Sequence, residues 1–214
     1  AAHKAGRDQK DYLLETIGPD RIIDVTEQNA EYGNYGADKD AYPLDIGRLR
    51  KAIEKVADMS GWGRALPKGR GLGIAAHRSF LTYVATVVEV EVSDAGDLKI
   101  IKSWASIDAG TVVNTDTVKN QVQGGSVFGI TAAISEGITF DKGRAQQSNF
   151  HDYRVPRMSD APLEIDVEII PSDAPPAGVG EPATPVYAPA LCNAIFAACG
   201  KRIRQLPIGN QLKA

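Results

Sequence analysis

The stretch Gly178-Val179-Gly180-Glu181-Pro182 sets a single acid between glycines and a proline. Glycine lets backbone approach a ligand closely, and proline fixes its own φ, so the acid belongs to a loop of defined shape. An apolar run follows at once, which puts Glu181 near the N-terminus of a helix, where an ionised carboxylate is favoured. Such an acid has the makings of a general base. It reads equally as a loop acid that assists a helix start, and on residue types alone this second reading stands ahead.

A second constellation is Gln121-Val122-Gln123-Gly124-Gly125, inside what reads as a helix. Two glycines in a helix interior cost roughly 1 kcal/mol each relative to alanine. Something must therefore come close to them. Either a neighbouring helix does, or a bulky polar cofactor does, with Gln121 offering it both a donor and an acceptor. The three histidines, His3, His77 and His151, stand at no metal-ligand spacing such as H-E-x-x-H, so a metal held by protein side chains is not expected. Serine nucleophile elbows and phosphate-binding glycine loops are also missing. The run Gly69-Arg70-Gly71-Leu72-Gly73 comes before a strand rather than after one, which is the wrong context for a dinucleotide fold.

The elements that must position these residues follow from periodicity and turn chemistry. A short helix is expected through Glu15, then a polar loop from Asp24 to Ala41, then a helix from Asp45 with Gly61 as its C-terminal stop. Strand character fills Ile74 to Val92. Ser93 to Asp97 turns the chain into a return strand, Leu98 to Ile107. Asn114 caps a helix reaching about Ser135. A second hairpin turns at Asp141-Lys142-Gly143, another strand covers Leu163 to Ile170, and a last helix spans Tyr187 to Ala198 before Gly200. Hairpins alternating with helices predict an α+β fold whose sheet is mostly antiparallel. The natural division sets a helical and loop segment, 1–70, ahead of an α+β domain, 71–214.

Composition bounds the partners. With 214 residues and a net charge of −3, the chain lacks the basic excess that nucleic acid demands. Its apolar runs are far too short to span a bilayer, and its start shows no signal-peptide core. The absence of an initiator Met reads as a piece of a longer protein. Cys192 and Cys199, seven apart on a helix, have Cα atoms about 10 Å apart, too far for a disulfide. They are too few for an iron–sulfur cluster and read as small core residues.

Three ordered motifs resemble a known family. Ala105-Ser106-Ile107-Asp108-Ala109-Gly110, then Gln121-Val122-Gln123-Gly124-Gly125, then Val179-Gly180-Glu181 are similar to the C-terminal part of the molybdenum-cofactor-binding large subunit of the xanthine dehydrogenase and aldehyde oxidase family. Thr115 stands where the family's motif has proline. Ser148-Asn149-Phe150-His151-Asp152-Tyr153 and Gly200-Lys201-Arg202-Ile203-Arg204-Gln205-Leu206-Pro207 resemble its isoquinoline 1-oxidoreductase β-subunit branch.

The resemblance implies an oxidoreductase that hydroxylates an N-heterocycle or aldehyde with oxygen from water. It implies a molybdopterin-type cofactor in its cytosine dinucleotide form, with 2Fe-2S clusters on a separate small subunit. Glu181 becomes the base that activates a hydroxyl on molybdenum, Gln121 a hydrogen-bond partner of the pterin, and Gly124, Gly125 and Gly180 places of close backbone approach. Several of the family's cofactor loops lie upstream of this stretch. The remainder of the large subunit is therefore an expected partner, and the alternative is a non-catalytic domain that keeps the fold without the cofactor.

Overall fold

In a computed structural model the described residues are 1–25 and 31–213; residues 26–30 of the expected polar loop lie outside them. Four helices and a four-stranded sheet carry the architecture. Helix α1 is Gln9–Ile17 and helix α2 is Ile46–Ser60. The Asp45 side chain accepts from the Arg48 N–H, and Gly61 closes α2 in the left-handed region (φ 60). Two-residue strands β1, Ile22–Ile23, and β2, Leu44–Asp45, pair just ahead of α2.

The main sheet is β3 (Arg70–Ser79), β4 (Thr82–Val92), β5 (Leu98–Asp108) and β8 (Ile165–Ile169), in that order. The first two ladders are antiparallel hairpins, as expected, but β8 runs parallel to β5. That pairing needs a crossover, supplied by helix α3, Thr115–Ile134, with Asn114 accepting from the Thr117 N–H as its cap. The hairpin of β6 (Phe140–Asp141) and β7 (Arg144–Ala145) stands on the way from α3 to β8. Helix α4, Ala183–Cys199, ends the regular structure.

Residues 74–92, read as continuous strand character, fold back on themselves at Phe80 and Leu81. Both residues take positive φ, 50° and 70°, with no glycine or asparagine to announce the turn. β4 is buried on both faces. Ala85 and Val87 join Ile53 and Val56 of α2, while Val88, Val90 and Val92 pack with Leu191 and Ile195 of α4. The sheet thus lies between α2 on one side and α3 and α4 on the other. α2 is fixed to this core by a bidentate contact of Arg48 with Asp108, at 2.5 and 2.8 Å. The expected division at residue 70 falls at the first residue of β3.

Gly71 and Gly73 lie within β3, with α4 against them. A Cβ on Gly73 would sit 2.1 Å from the Ala194 nitrogen and 2.2 Å from the Ala190 oxygen. Their purpose is helix–sheet contact. Of the two cysteines only Cys192 packs on the core; Cys199 is exposed, because its place on the last turn of α4 faces outward. No helix among the described residues is long and apolar enough to cross a membrane.

Candidate functional site

The loop 171–182 crosses the end of the sheet and is tied down along its length. The Thr111 N–H and hydroxyl both donate to the Ala174 oxygen, at 2.8 and 3.1 Å, and the Ala177 N–H donates to the Ala109 oxygen at 2.9 Å. A Cβ on Gly110 (φ 69) would meet the Pro175 oxygen at 2.1 Å, so the Asp-Ala-Gly motif ends in glycine for this crossing. The Tyr42 hydroxyl donates to the Pro176 oxygen at 2.9 Å. Gly178 donates to the Phe80 oxygen at 3.0 Å and accepts from the Thr82 hydroxyl at 2.7 Å.

Val179 and Ala183 then turn inward, joining an apolar cluster with Val118 and Val122 of α3 and Ala105, Ile107 and Ala109 of β5 and its end. Gly180 and Glu181, between them, face out and are exposed. The Glu181 oxygen accepts from the Thr184 N–H at 3.0 Å, which starts α4. The helix cap is Pro182 and no side chain caps it. The Glu181 carboxylate has no hydrogen bond or ion pair among the described residues. The reading of Glu181 as an acid that assists the helix start therefore finds no contact to support it.

Gln121, Gly124 and Gly125 share one flank of α3, at helical spacing. The two glycines differ. Gly125 meets α4: a Cβ there would be 3.2 Å from the Ala183 Cβ and the Thr184 Oγ1. Gly129, one turn on, is tighter still, 2.6 Å from the Thr184 oxygen. Gly124 faces open space, as does Gly180. Close helix packing thus accounts for Gly125 and Gly129 and leaves Gly124 bare. Gln121 is exposed beside it, its side chain without a partner among the described residues.

The histidines lie apart. His3 packs edge-on against Phe196, His151 stands exposed beside Asp152, and His77 on β3 places Nε2 at 2.7 Å from the Pro182 oxygen. Among the described residues no three His, Cys, Asp or Glu side chains come together as a metal site would need. His77, Phe80 and Thr82 were not legible as site residues, since their partners lie about a hundred positions away. A cleft of about 790 Å³ lies elsewhere, between α1, β3 and the C-terminal half of α4, and neither Glu181 nor Gln121 lines it.

Comparison with known proteins gives this geometry its context. Residues 20–162 match the family model of the molybdopterin cofactor-binding domain, a stretch that holds Gln121, Gly124 and Gly125 and ends short of Glu181. The chain is 34% identical over 182 residues to the membrane-bound aldehyde dehydrogenase [pyrroloquinoline-quinone] of Gluconacetobacter polyoxogenes, covering 81% of this chain and 23% of that protein. It is 36% identical over 160 residues to the isoquinoline 1-oxidoreductase subunit beta of Brevundimonas diminuta, covering 73% and 20%. The chain therefore spans between a fifth and a quarter of the length of these curated relatives. Among solved structures, quinoline 2-oxidoreductase from Pseudomonas putida 86 superposes with a TM-score of 0.56 over 61% of this chain and 18% of that one, and at 23% identity it speaks for the fold. The aldehyde oxidoreductase of Desulfovibrio desulfuricans superposes with a TM-score of 0.52 at 28% identity, over 61% and 15%. By the extent of these matches, this chain belongs to the molybdopterin cofactor-binding domain family, among the molybdenum-binding subunits of the xanthine dehydrogenase and aldehyde oxidase type.

Proposed function

We propose that this chain is the C-terminal portion of a molybdenum hydroxylase that adds oxygen from water to an N-heterocycle or an aldehyde, with Glu181 as its general base. One observation carries the reading: an exposed carboxylate without a partner, on a loop fastened on both sides of it. A structural acid in this place would cap α4 or meet a cation, and Glu181 does neither.

A molybdenum pterin suits the residues present. The surface at Gly124 and Gly180, where a Cβ would meet nothing, leaves backbone open to such a group. When bound, it supplies Lewis acidity and a two-electron sink. The chain's own residues then divide the work. Glu181 takes the proton from the water-derived hydroxyl that attacks the substrate carbon. Gln121 gives and accepts hydrogen bonds at the pterin. Gly125 lets α4 close on α3, which keeps the Glu181 loop beside that flank. In the assembled enzyme the cofactor would be the cytosine dinucleotide form, the remainder of the large subunit would complete the pocket around the small-molecule substrate, and 2Fe-2S clusters would lie on a separate small subunit.

The assembled enzyme should contain molybdenum, release a cytosine nucleotide on acid hydrolysis, and place the label of oxygen-18 water in the hydroxylated product. Label drawn from dioxygen would overturn the hydroxylase reading. A purified protein without molybdenum or any longer co-purifying chain would instead favour the non-catalytic domain.

A further inference from the structure

We infer that His77 is a positioning residue for Glu181, acting through the carbonyl of Pro182; this rests on the reading of Glu181 as the base. Nε2 of His77 lies 2.7 Å from the Pro182 oxygen, across 105 positions of sequence. A carbonyl only accepts, so Nε2 carries the proton of this bond. Pro182 directly follows Glu181 and is buried, so its peptide is a firm place from which to hold the acid.

The other side of the acid is held from the same hairpin, at its turn and at the first residue of β4. Gly178 donates to the Phe80 oxygen and accepts from the Thr82 hydroxyl. A Cβ on Gly178 would come 2.8 Å from the Phe80 Cβ, which shows how closely the loop lies on the hairpin tip. Only Val179, Gly180 and Glu181 lie between these two attachments. The tip is under strain: Phe80 and Leu81 both hold positive φ, a conformation non-glycine residues take only at a free-energy cost. It persists with the Tyr35 ring stacked on Phe80 at 5.2 Å. Strand β3 thus ends in a clamp, with His77 gripping after the acid and the turn gripping before it.

The test compares H77L, H77Q and E181Q in the assembled molybdenum enzyme. Leucine removes the donor; glutamine keeps an N–H donor of similar reach. H77L should lose about 10–100-fold in kcat, the size of effect expected from a misplacement near 1 Å. Its KM should stay within about twofold, since an acid that acts only in the transition state leaves ground-state binding alone. Molybdenum content should hold. Amide exchange over residues 178–181 should quicken in H77L while that of β4 and β5 stays as in the parent, and H77Q should recover most of the kcat and the slow exchange. The inference is overturned by parental kcat in H77L, by a loss that H77Q does not relieve, by a loss that follows missing molybdenum, or by faster exchange across the whole sheet. E181Q separates the two ideas. Normal turnover in E181Q removes the base reading and this inference with it, whereas an inactive E181Q beside a fully active H77L removes the positioning role alone.

Discussion

Replacing Gly129 by alanine would drive a methyl group to 2.6 Å from the Thr184 carbonyl oxygen and 2.7 Å from the Tyr187 Cβ. The first of these is backbone of α4 and cannot swing aside. Replacing Gly124 on the same helix meets nothing within 4 Å. Both changes put alanine for glycine in the interior of α3, so both gain about 1 kcal/mol of helix propensity, and that term cancels between them. What remains is overpacking at Gly129, about 1–3 kcal/mol. For a chain of this size each kcal/mol moves the melting temperature by about 2–4 °C, so G129A should melt roughly 2–12 °C below G124A. G124A should melt at or above the parent. G125A, with its nearest neighbours at 3.2 Å, should fall between them. Thermal unfolding followed by circular dichroism on the three variants side by side reads the order directly. Equal melting of G124A and G129A, or G124A as the least stable, would refute the account of α3 against α4. In the assembled enzyme the bare flank predicts the opposite penalty: G124A should lower molybdenum occupancy although it does not destabilise the fold.

Three further outcomes follow from the core. Asp108 is 3% accessible and Arg48 12%, and burial works against the Arg48 charge, yet the bond and field of Asp108 outweigh it and hold the guanidinium pKa above its ordinary value. R48M, which strands the carboxylate, should cost about 3–5 kcal/mol in urea unfolding, and R48M/D108N should cost less; a single-variant loss under about 1 kcal/mol would contradict the buried pair. Burial pushes the Tyr187 phenol far above its ordinary 10.0, against a smaller opposing pull from Ser103. An acid whose pKa is raised in the folded state contributes stability that is whole below the unfolded pKa and is lost as pH rises beyond it, so stability should decline above about pH 10, and Y187F should flatten that decline; an unchanged alkaline limb in Y187F would contradict this. A maleimide should label exposed Cys199 well before half-buried Cys192, whose thiol burial pushes up, and equal rates would contradict the placement of α4.

How much of this the sequence disclosed depends on how local each cause was. α2 was legible from end to end because Asp45 and Gly61 mark its caps, and α3 because Asn114 does. The Lys142-Gly143 turn carried its own signature, with φ of 47° and 77°. α4 begins four residues before the expected Tyr187. Pro182 read as the end of the loop, yet it caps the helix, Pro185 is tolerated in a first turn whose N–H groups have no helical partner, and Pro189 further in gives up one bond while the helix continues. The Phe80-Leu81 turn was hidden because neither residue favours positive φ; contacts from Tyr35 and Gly178 hold it, and both lie far off in sequence. Parallel pairing of β5 with β8 is also a long-range fact. At the site, the motif around Glu181 was visible, but the paired glycines concealed two different environments. Only packing distinguishes Gly125, under α4, from Gly124, in the open. His77 offered no local sign of its bond to Pro182.

The claim that this chain supplies the base is tested most directly by E181Q in the assembled enzyme, with turnover and molybdenum content measured on the same preparation. Glutamine keeps the shape and removes the proton acceptor. The account predicts that kcat falls by about 10²–10⁴-fold, the usual contribution of a general base, while molybdenum content stays at the parental level. Parental turnover with molybdenum in place would contradict it.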